Sequence, residues 1–500
     1  MPGGFAEGVA FPRNAGEVAA LVTSADRVLP IGAQSSLTGG ATPRGGLLLS
    51  TRALGGISPP AGSSVRVGAG VPLSDLQRAL AASGLYYPPV PTYDGAFVGG
   101  TIATNAAGAA TFKHGSTRRW VEALNVVLAD GSMVELRRGE VTASPDGWFE
   151  LERVSGEVVR IAVPTYTMPR VAKLSAGYYA EPGMDLVDLF IGSEGTLGIV
   201  VDATLRVIPR PQTCVALVRC TSDGQAVALT TALRREAEAS WRAEGLERRS
   251  LGEGGSLDVS AVEYMDQRAL AAVPDEAFSR AGVARPAGAS AMLLVQMEVP
   301  RDVPPDVPAD GGDTLTRLTQ VLESCGVDTD PQVALPGDDR GKARLFELRE
   351  AVPASVNALV AAAKTGHPGI EKTAGDLVVP FERLADSLAM YRDVFERYGL
   401  EYAIWGHVSD GNLHPNVVPR TFDDVARGRE AILEMARAVV SMGGAPLAEH
   451  GVGRSGLKQR LLRELYGQRG IDEMRAVKRA LDPGWKLAAG VLFPESDQQA

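Results

Sequence analysis

"GHVSDGNLHPNVV", Gly406 to Val418, carries two of the chain's five histidines on either side of an Asp-Gly pair. Asp-Gly between short apolar runs is a strong local signal for a two-residue hairpin, because glycine, and aspartate less readily, takes the positive φ of that turn. This reading puts Asp410 and Gly411 at the tip, pairs Ser409 with Asn412 and Val408 with Leu413, and sets His407 directly opposite His414. Residues facing each other across an antiparallel pair have Cβ atoms roughly 5 Å apart on one face of the sheet. Two imidazoles there can share a metal ion, or can hydrogen-bond within an ordinary sheet. The hairpin alone leaves both readings open.

The surrounding chain narrows the class. Five hundred residues, 45% hydrophobic and 22% charged, suit a soluble globular protein of two or three domains. No apolar run approaches the roughly 20 residues of a membrane helix. The N-terminal "MPGGFAEGVAFPRN" (1–14) lacks a basic segment followed by an apolar core, so a cytoplasmic protein is expected. Cys214, Cys220 and Cys325 are scattered, which argues against a disulfide framework, a zinc ribbon or a cysteine-held iron–sulfur cluster. A formal charge of −10 without a long basic run makes nucleic acid an unexpected partner.

From Phe11 to about Pro211 short strand-like runs alternate with short helices. "NAGEVAALVTSA" (14–25) opens on Asn14 with Glu17 three residues on, a capping-box-like helix start. "RVLPIG" (27–32) and "GLLLS" (46–50) read as strands, as does "SVRVGAGV" (64–71). "PLSDLQRALAASG" (72–84) reads as a helix stopping at Gly84. Beyond Cys214 helical patterns lengthen, broken by the Pro/Asp/Gly-rich "VPRDVPPDVPADGGD" (299–313), which reads as an exposed loop. The last segment, from Glu449, reads as a glycine loop and two amphipathic helices. The fold class is α+β.

Three glycine-rich stretches stand in the first 200 residues: Gly32–Gly46, Gly95–Gly115 and Gly192–Gly198. None fits GxGxxG or GxxxxGK[ST]. Any one of them reads equally as an ordinary turn. Together they make a pyrophosphate ligand a serious candidate, since close approach of backbone N–H groups to phosphate needs residues without Cβ and with positive φ.

In order, "PIGAQSSLTGGA" (30–41), "PPVPTYDGAFVGGTIATNAAG" (88–108), "KHGSTRRWV" (113–121), "LFIGSEGTLGIV" (189–200) and "RVIPRP" (206–211) resemble the FAD-binding half of the vanillyl-alcohol oxidase/p-cresol methylhydroxylase superfamily. "LFELREAV" (345–352), "GHVSDGNLHPNV" (406–417), "AEHGVG" (448–453) and "LDPGWKLAAGVLFP" (481–494) resemble its FAD-linked oxidase C-terminal half. The most similar subgroup is that of D-lactate dehydrogenase, D-2-hydroxyglutarate dehydrogenase and the glycolate oxidase flavoprotein subunit. The resemblance implies a two-part FAD-binding domain of mixed sheets and helices over 1–211. It further implies a cap domain with an antiparallel sheet covered by helices over 212–445, and a segment 446–500 returning to the FAD domain.

The resemblance also assigns residues. Pro30, Ile31, Gly32, Ala33, Gln34, Ser35, Ser36, Leu37, Thr38 and Gly40 would wrap the FAD pyrophosphate. Pro91, Thr92, Gly99, Gly100, Thr101, Thr104, Asn105 and Gly108 would line the flavin, with Ser116, Glu194, Gly195 and Ile199 near ribose and adenine. The first glycine loop has no histidine for covalent attachment, so noncovalent FAD is expected. His407, His414 and Glu449 would bind a divalent metal, with zinc the expected ion, and His450 would be the catalytic base. In that light the hairpin supplies two imidazoles to an open three-ligand site. Arg349, in "LFELRE", would hold the substrate's carboxylate, with Lys372 assisting; the plainer reading of Arg349 is a helix-surface salt bridge to Glu350 or Glu347. Lys364 is the alternative lysine, and His114 and His367 receive no role. The pattern departs from the family where its usual Asn-Pro-Gly becomes Ala488-Ala489-Gly490.

The expected activity is FAD-dependent, metal-assisted oxidation of a D-2-hydroxy acid to the 2-oxo acid, with electrons passed to an unidentified acceptor. Two alternatives stay open: a flavin oxidase of phenolic or other alcohols, and a catalytically decayed flavin subunit of an electron-transfer assembly. A homodimer is compatible with the sequence.

Overall fold

The computed structural model describes residues 3–495 apart from 154, 245–256, 300–311 and 329, so most of the loop expected over 299–313 lies outside the described residues. The chain divides into two compact units. One comprises 1–108, 115–210 and 445–500, the other 109–114 and 211–444.

In the first unit, three short strands, Gly8–Ala10, Leu47–Ser50 and Val28–Ile31, pair in parallel in that order. The helix Ala15–Ser24 begins as its sequence predicts: Asn14 Oδ1 accepts from Glu17 N at 2.9 Å, and the Asn14 side-chain amide donates to Glu17 Oε1 at 3.1 Å. It buries Val18 and Val22. A four-stranded antiparallel sheet follows, in the order Ser64–Gly68, Ile199–Arg206, Val121–Val127, Met133–Arg137. The two C-terminal helices lie within Gly456–Leu481, separated by Gly467 at φ 66°, ψ 176°.

The second unit is built on one eight-stranded antiparallel sheet. From one edge it runs Gln332–Ala334, Gln212–Cys220, Ala291–Val299, Asp258–Asp266, Tyr402–His407, Asn412–Val417 and Thr373–Ala374, with Leu377–Val378 also paired to Asn412–Val417. The helix Asp339–Gly366 covers this sheet. Its Leu345, Leu348, Val352 and Val356 recur every three or four residues, the spacing of one helix face. They join Val215, Leu217, Met265, Met292, Leu294 and Trp405 of the sheet in one buried cluster. Arg349 shares that buried face, so it is not the surface residue of the plainer reading.

The hairpin forms with a different register. His407 pairs with Asn412 and Trp405 with His414, rather than His407 with His414. Val408–Asp410 make one 3₁₀ turn, closed by Gly411 at φ 77°. A two-residue turn would force Asp410 as well into positive φ, whereas the observed connection asks this only of glycine. Side-chain bonds hold the wider turn: Asp410 Oδ1 accepts from Asn412 N at 3.2 Å, and Ser409 Oγ accepts from Val262 N at 3.0 Å. The displacement is even, so both histidines still project from the same face, as they would not after a one-residue slip. Their rings stand diagonally, 5.6 Å between centroids and near perpendicular.

Candidate functional site

In the first unit the three glycine-rich stretches share a feature that composition alone does not show. Among the described residues six non-glycine residues have positive φ, and one falls in each stretch: Gln34 at 56°, Asn105 at 48° and Glu194 at 53°. Side chains in that region are strained, and such residues concentrate where backbone shape serves a ligand. The second and third stretches are also tied together. Glu194 N donates to Ala103 O at 2.8 Å and Gly192 N to Ile102 O at 3.0 Å. Asn105 Nδ2 donates to Leu174 O at 3.1 Å while its Oδ1 accepts from Arg118 N at 3.0 Å. Ser175 Oγ donates to Thr104 O at 2.8 Å.

Glycine is required at particular points of this cradle. A Cβ on Gly108 would collide with the Val90 carbonyl beside Pro91, and one on Gly195 would come 2.8 Å from Pro30 Cγ. Gly100 faces open space. These bare backbones suit a flat ring and a phosphate that must lie against main chain. Asn105 makes the dependence measurable. Asn105→Ala keeps the left-handed backbone without a side chain that supports it and removes two hydrogen bonds. It is expected to cost about 2 kcal/mol in a thermal melt and to weaken FAD retention.

The carboxylate of Glu194 binds main-chain N–H groups. It accepts from Val452 N at 2.7 Å and Gly453 N at 2.8 Å, and burial pushes its pKa up to about 7 despite those donors. It thereby clasps the loop that follows Glu449 and His450. Lys173, whose side chain is fully buried, bonds Glu449 Oε2 at 2.8 Å. His450 is partly exposed, with Nε2 3.4 Å from Glu449 Oε1. Sequence reasoning missed Lys173. In the same unit Ala488 has φ 48°, so the departure from Asn-Pro-Gly puts alanine where the backbone is left-handed, a conformation asparagine tolerates better.

In the second unit the buried sheet face carries the other candidates. Glu263 lies directly across from His407 in the neighbouring strand. Its Oε1 bonds His407 Nδ1, while Arg349 reaches Oε2 with Nε at 2.7 Å and Nη2 at 2.6 Å. Arg349 Nη1 meets Glu350 Oε1 at 3.0 Å. Burial alone would raise the Glu263 pKa, but Arg349 and His407 outweigh it and hold the carboxyl at about 2. One edge of the expected carboxylate clamp is therefore already occupied by protein. His414 Nδ1 lies 3.7 Å from Asp376 Oδ1, longer than a hydrogen bond. Two donor atoms each roughly 2 Å from one ion stand about 3–4 Å apart, so this pair suits a shared divalent cation.

Asp376 and His414 here, and Glu449 and His450 in the first unit, are nitrogen and oxygen donors of the type zinc accepts. Lys372 Nζ donates to Asn357 Oδ1 at 3.0 Å and lies 5.2 Å from the centre of the Trp405 ring, the residue paired with His414. Lys364 lies at the end of the Asp339–Gly366 helix. His114 bonds Glu298 Oε1 at 2.9 Å, beside Lys113, which bridges Glu298 and Asp258. Glu263 and Asp376 were also missed; the available signal for Glu263 was one acid inside the apolar run "SAVEYM" (260–265).

Residues 6–137 match the FAD binding domain family, and residues 253–492 match the family described as FAD linked oxidases, C-terminal domain. The chain belongs to the FAD-linked oxidases. Relatives of this oxidase run nearly its full length. A glycolate oxidase subunit of Bacillus subtilis is 28% identical over 497 residues, covering 97% of this chain and 89% of that protein. A D-2-hydroxyglutarate dehydrogenase of Xanthomonas citri is 28% identical over 506 residues, covering 98% and 89%. A D-lactate dehydrogenase of Archaeoglobus fulgidus is 26% identical over 487 residues, covering 94% and 88%. A solved structure of alkyldihydroxyacetonephosphate synthase shares the fold, with a TM-score of 0.60 at 15% identity over 96% of this chain and 75% of that one. The oxidase is thus a mixed α/β flavoprotein with N-terminal FAD-binding sheets and a large C-terminal antiparallel sheet flanked by helices. Among its described residues no helix is long and apolar enough to cross a membrane.

Proposed function

We propose that this FAD-linked oxidase oxidises a D-2-hydroxy acid to the 2-oxo acid, with noncovalent FAD and a divalent metal, zinc being the expected ion. The observation that carries this reading is the buried histidine face of the second unit, where His407, His414, Asp376, Glu263 and Arg349 gather imidazoles, carboxylates and a guanidinium. A polar, cation-binding face suits a hydroxy acid. An oxidase of phenolic or other alcohols needs no metal and favours aromatic walls. The names of the three relatives, acting on glycolate, D-lactate and D-2-hydroxyglutarate, support the same class.

In this reading His407, His414 and Glu449 hold the metal, and Asp376, 3.7 Å from His414, is a further candidate ligand. When bound, the metal supplies acidification of the substrate hydroxyl and FAD supplies the acceptor for the Cα hydride. His450 takes the hydroxyl proton on an imidazole nitrogen. Loss of that proton and of a hydride from Cα leaves the 2-oxo acid. Since Glu263 engages the Nε–Nη2 edge of Arg349, the substrate's carboxylate is assigned to Lys372 together with the Nη1 side of Arg349, in competition with Glu350.

Anaerobic bleaching of the flavin tests the class. D-lactate, D-2-hydroxyglutarate or glycolate should reduce it, and vanillyl alcohol should not. Reduction by vanillyl alcohol alone favours the phenol oxidase, and reduction by none of them the decayed subunit. Lys372 adds a pH signature. Desolvation lowers its pKa to about 8, so the ammonium is present below about pH 8 and lost above it. kcat/KM for the hydroxy acid should fall as pH rises through about 8, because that ratio reports the free enzyme. Lys372→Met should flatten the limb; an unchanged limb removes Lys372 from substrate binding.

A further inference from the structure

We infer that Glu263 is a positioning residue that fixes the ring tautomer of His407 and the orientation of Arg349. The inference rests on the proposed metal-assisted reading and deepens it. Glu263 stands in a central strand of the sheet and is almost wholly buried, as are both of its partners. Its two oxygens divide their work: Oε1 faces His407 Nδ1 and Oε2 takes the Nε–Nη2 edge of Arg349. Three elements far apart in sequence meet in this one carboxylate, a strand, the next strand across the sheet, and the covering helix.

Stability does not account for such an arrangement. Taking ionic groups out of water is costly, and well-packed apolar residues in their place are commonly as stable or more so. What a buried carboxylate between a guanidinium and an imidazole does supply is geometry. A carboxylate paired with Arg349 can only accept, so His407 must donate Nδ1–H to it, which puts the ring's lone pair on Nε2. Nε2 is then the atom His407 presents as a ligand, and the bond to Glu263 sets the plane in which it does so. On the same carboxylate Arg349 is locked in one rotamer, so a substrate meets a preset Nη1 rather than a mobile side chain.

The test uses full-length, FAD-loaded protein and compares the parent with Glu263→Gln and Glu263→Asp. The amide keeps the shape without the charge; the aspartate keeps the charge one methylene short. Zinc affinity is measured by chelator competition after metal stripping, the His407 tautomer by NMR of ¹⁵N-histidine protein with His407→Ala for assignment, and folding by thermal melting and FAD content. The parent is expected to show His407 protonated on Nδ1. Glu263→Gln should lose that single tautomer and weaken zinc binding by about 10–100-fold, the range for removing a ligand's supporting group, with FAD content retained. Glu263→Asp should recover part of both. A merely structural role would lower the melting temperature of both variants and leave tautomer and zinc affinity as in the parent, and this result overturns the inference. If the parent binds no zinc, the metal reading fails, and the tautomer comparison alone decides the role of Glu263. Should Glu263→Gln not fold, Glu263→Asp carries the test by the same readouts.

Discussion

His450→Ala is expected to retain FAD and metal while flavin reduction by the hydroxy acid falls by about 10²–10⁴-fold, the usual loss when a general base is removed. Glu449→Ala is expected to lose both metal and activity. The two residues are neighbours with opposite demands. A ligand must be a donor fixed on its ion, whereas a base must be free to gain a proton. The surroundings differ accordingly: Glu449 is nearly buried and its Oε2 is held at 2.8 Å by the buried Lys173, whereas His450 is partly exposed. Elemental analysis of the purified variants and stopped-flow flavin reduction separate the roles. A metal-free His450→Ala beside a metal-loaded Glu449→Ala would exchange them. Two active, metal-loaded variants would end the metal-site reading.

Arg349→Met is expected to destabilise the protein by about 3–5 kcal/mol, because it leaves the Glu263 carboxylate buried without its guanidinium. For a unit of this size each kcal/mol moves the melting temperature by roughly 2–4 °C, so the shift should be on the order of 10 °C. Arg349→Lys should melt closer to the parent, since an ammonium still meets one oxygen. It should nevertheless lose turnover strongly, because a point charge reproduces neither the fork on Glu263 nor a preset donor for substrate. A surface arginine predicts something else: both variants melting and turning over like the parent. That outcome would contradict the burial of Arg349 as well as its role.

Much of the architecture was written in local sequence. Asn14 with Glu17 specified a helix start, and the cap forms with those two side chains. The Asp-Gly hairpin put His407 and His414 on one face, and they share it although the pairing is displaced by two residues. The glycine stretches announced unusual backbone, and each holds one non-glycine residue at positive φ, Gln34, Asn105 or Glu194. These features are legible because they depend on turn chemistry, capping and periodicity, all settled within about ten residues of chain.

The register of the hairpin was not legible in that way. "SDGN" admits a two-residue turn on its own terms, and the wider one is favoured by Val262 N, 147 residues away, bonding Ser409 Oγ. The partners of the site lie beyond local rules altogether. Glu263 is 144 residues from His407 and 86 from Arg349, and in its own strand it reads only as an acid in an apolar run. Lys173 is 276 residues from Glu449. The sequence by itself determined that a hairpin would set two imidazoles on one sheet face and that three glycine-rich stretches would carry unusual backbone. Which carboxylate would orient one imidazole, and which cation would hold Glu449, only the tertiary structure decided, because a buried charge is placed by whatever strand or helix packing brings within hydrogen-bond reach.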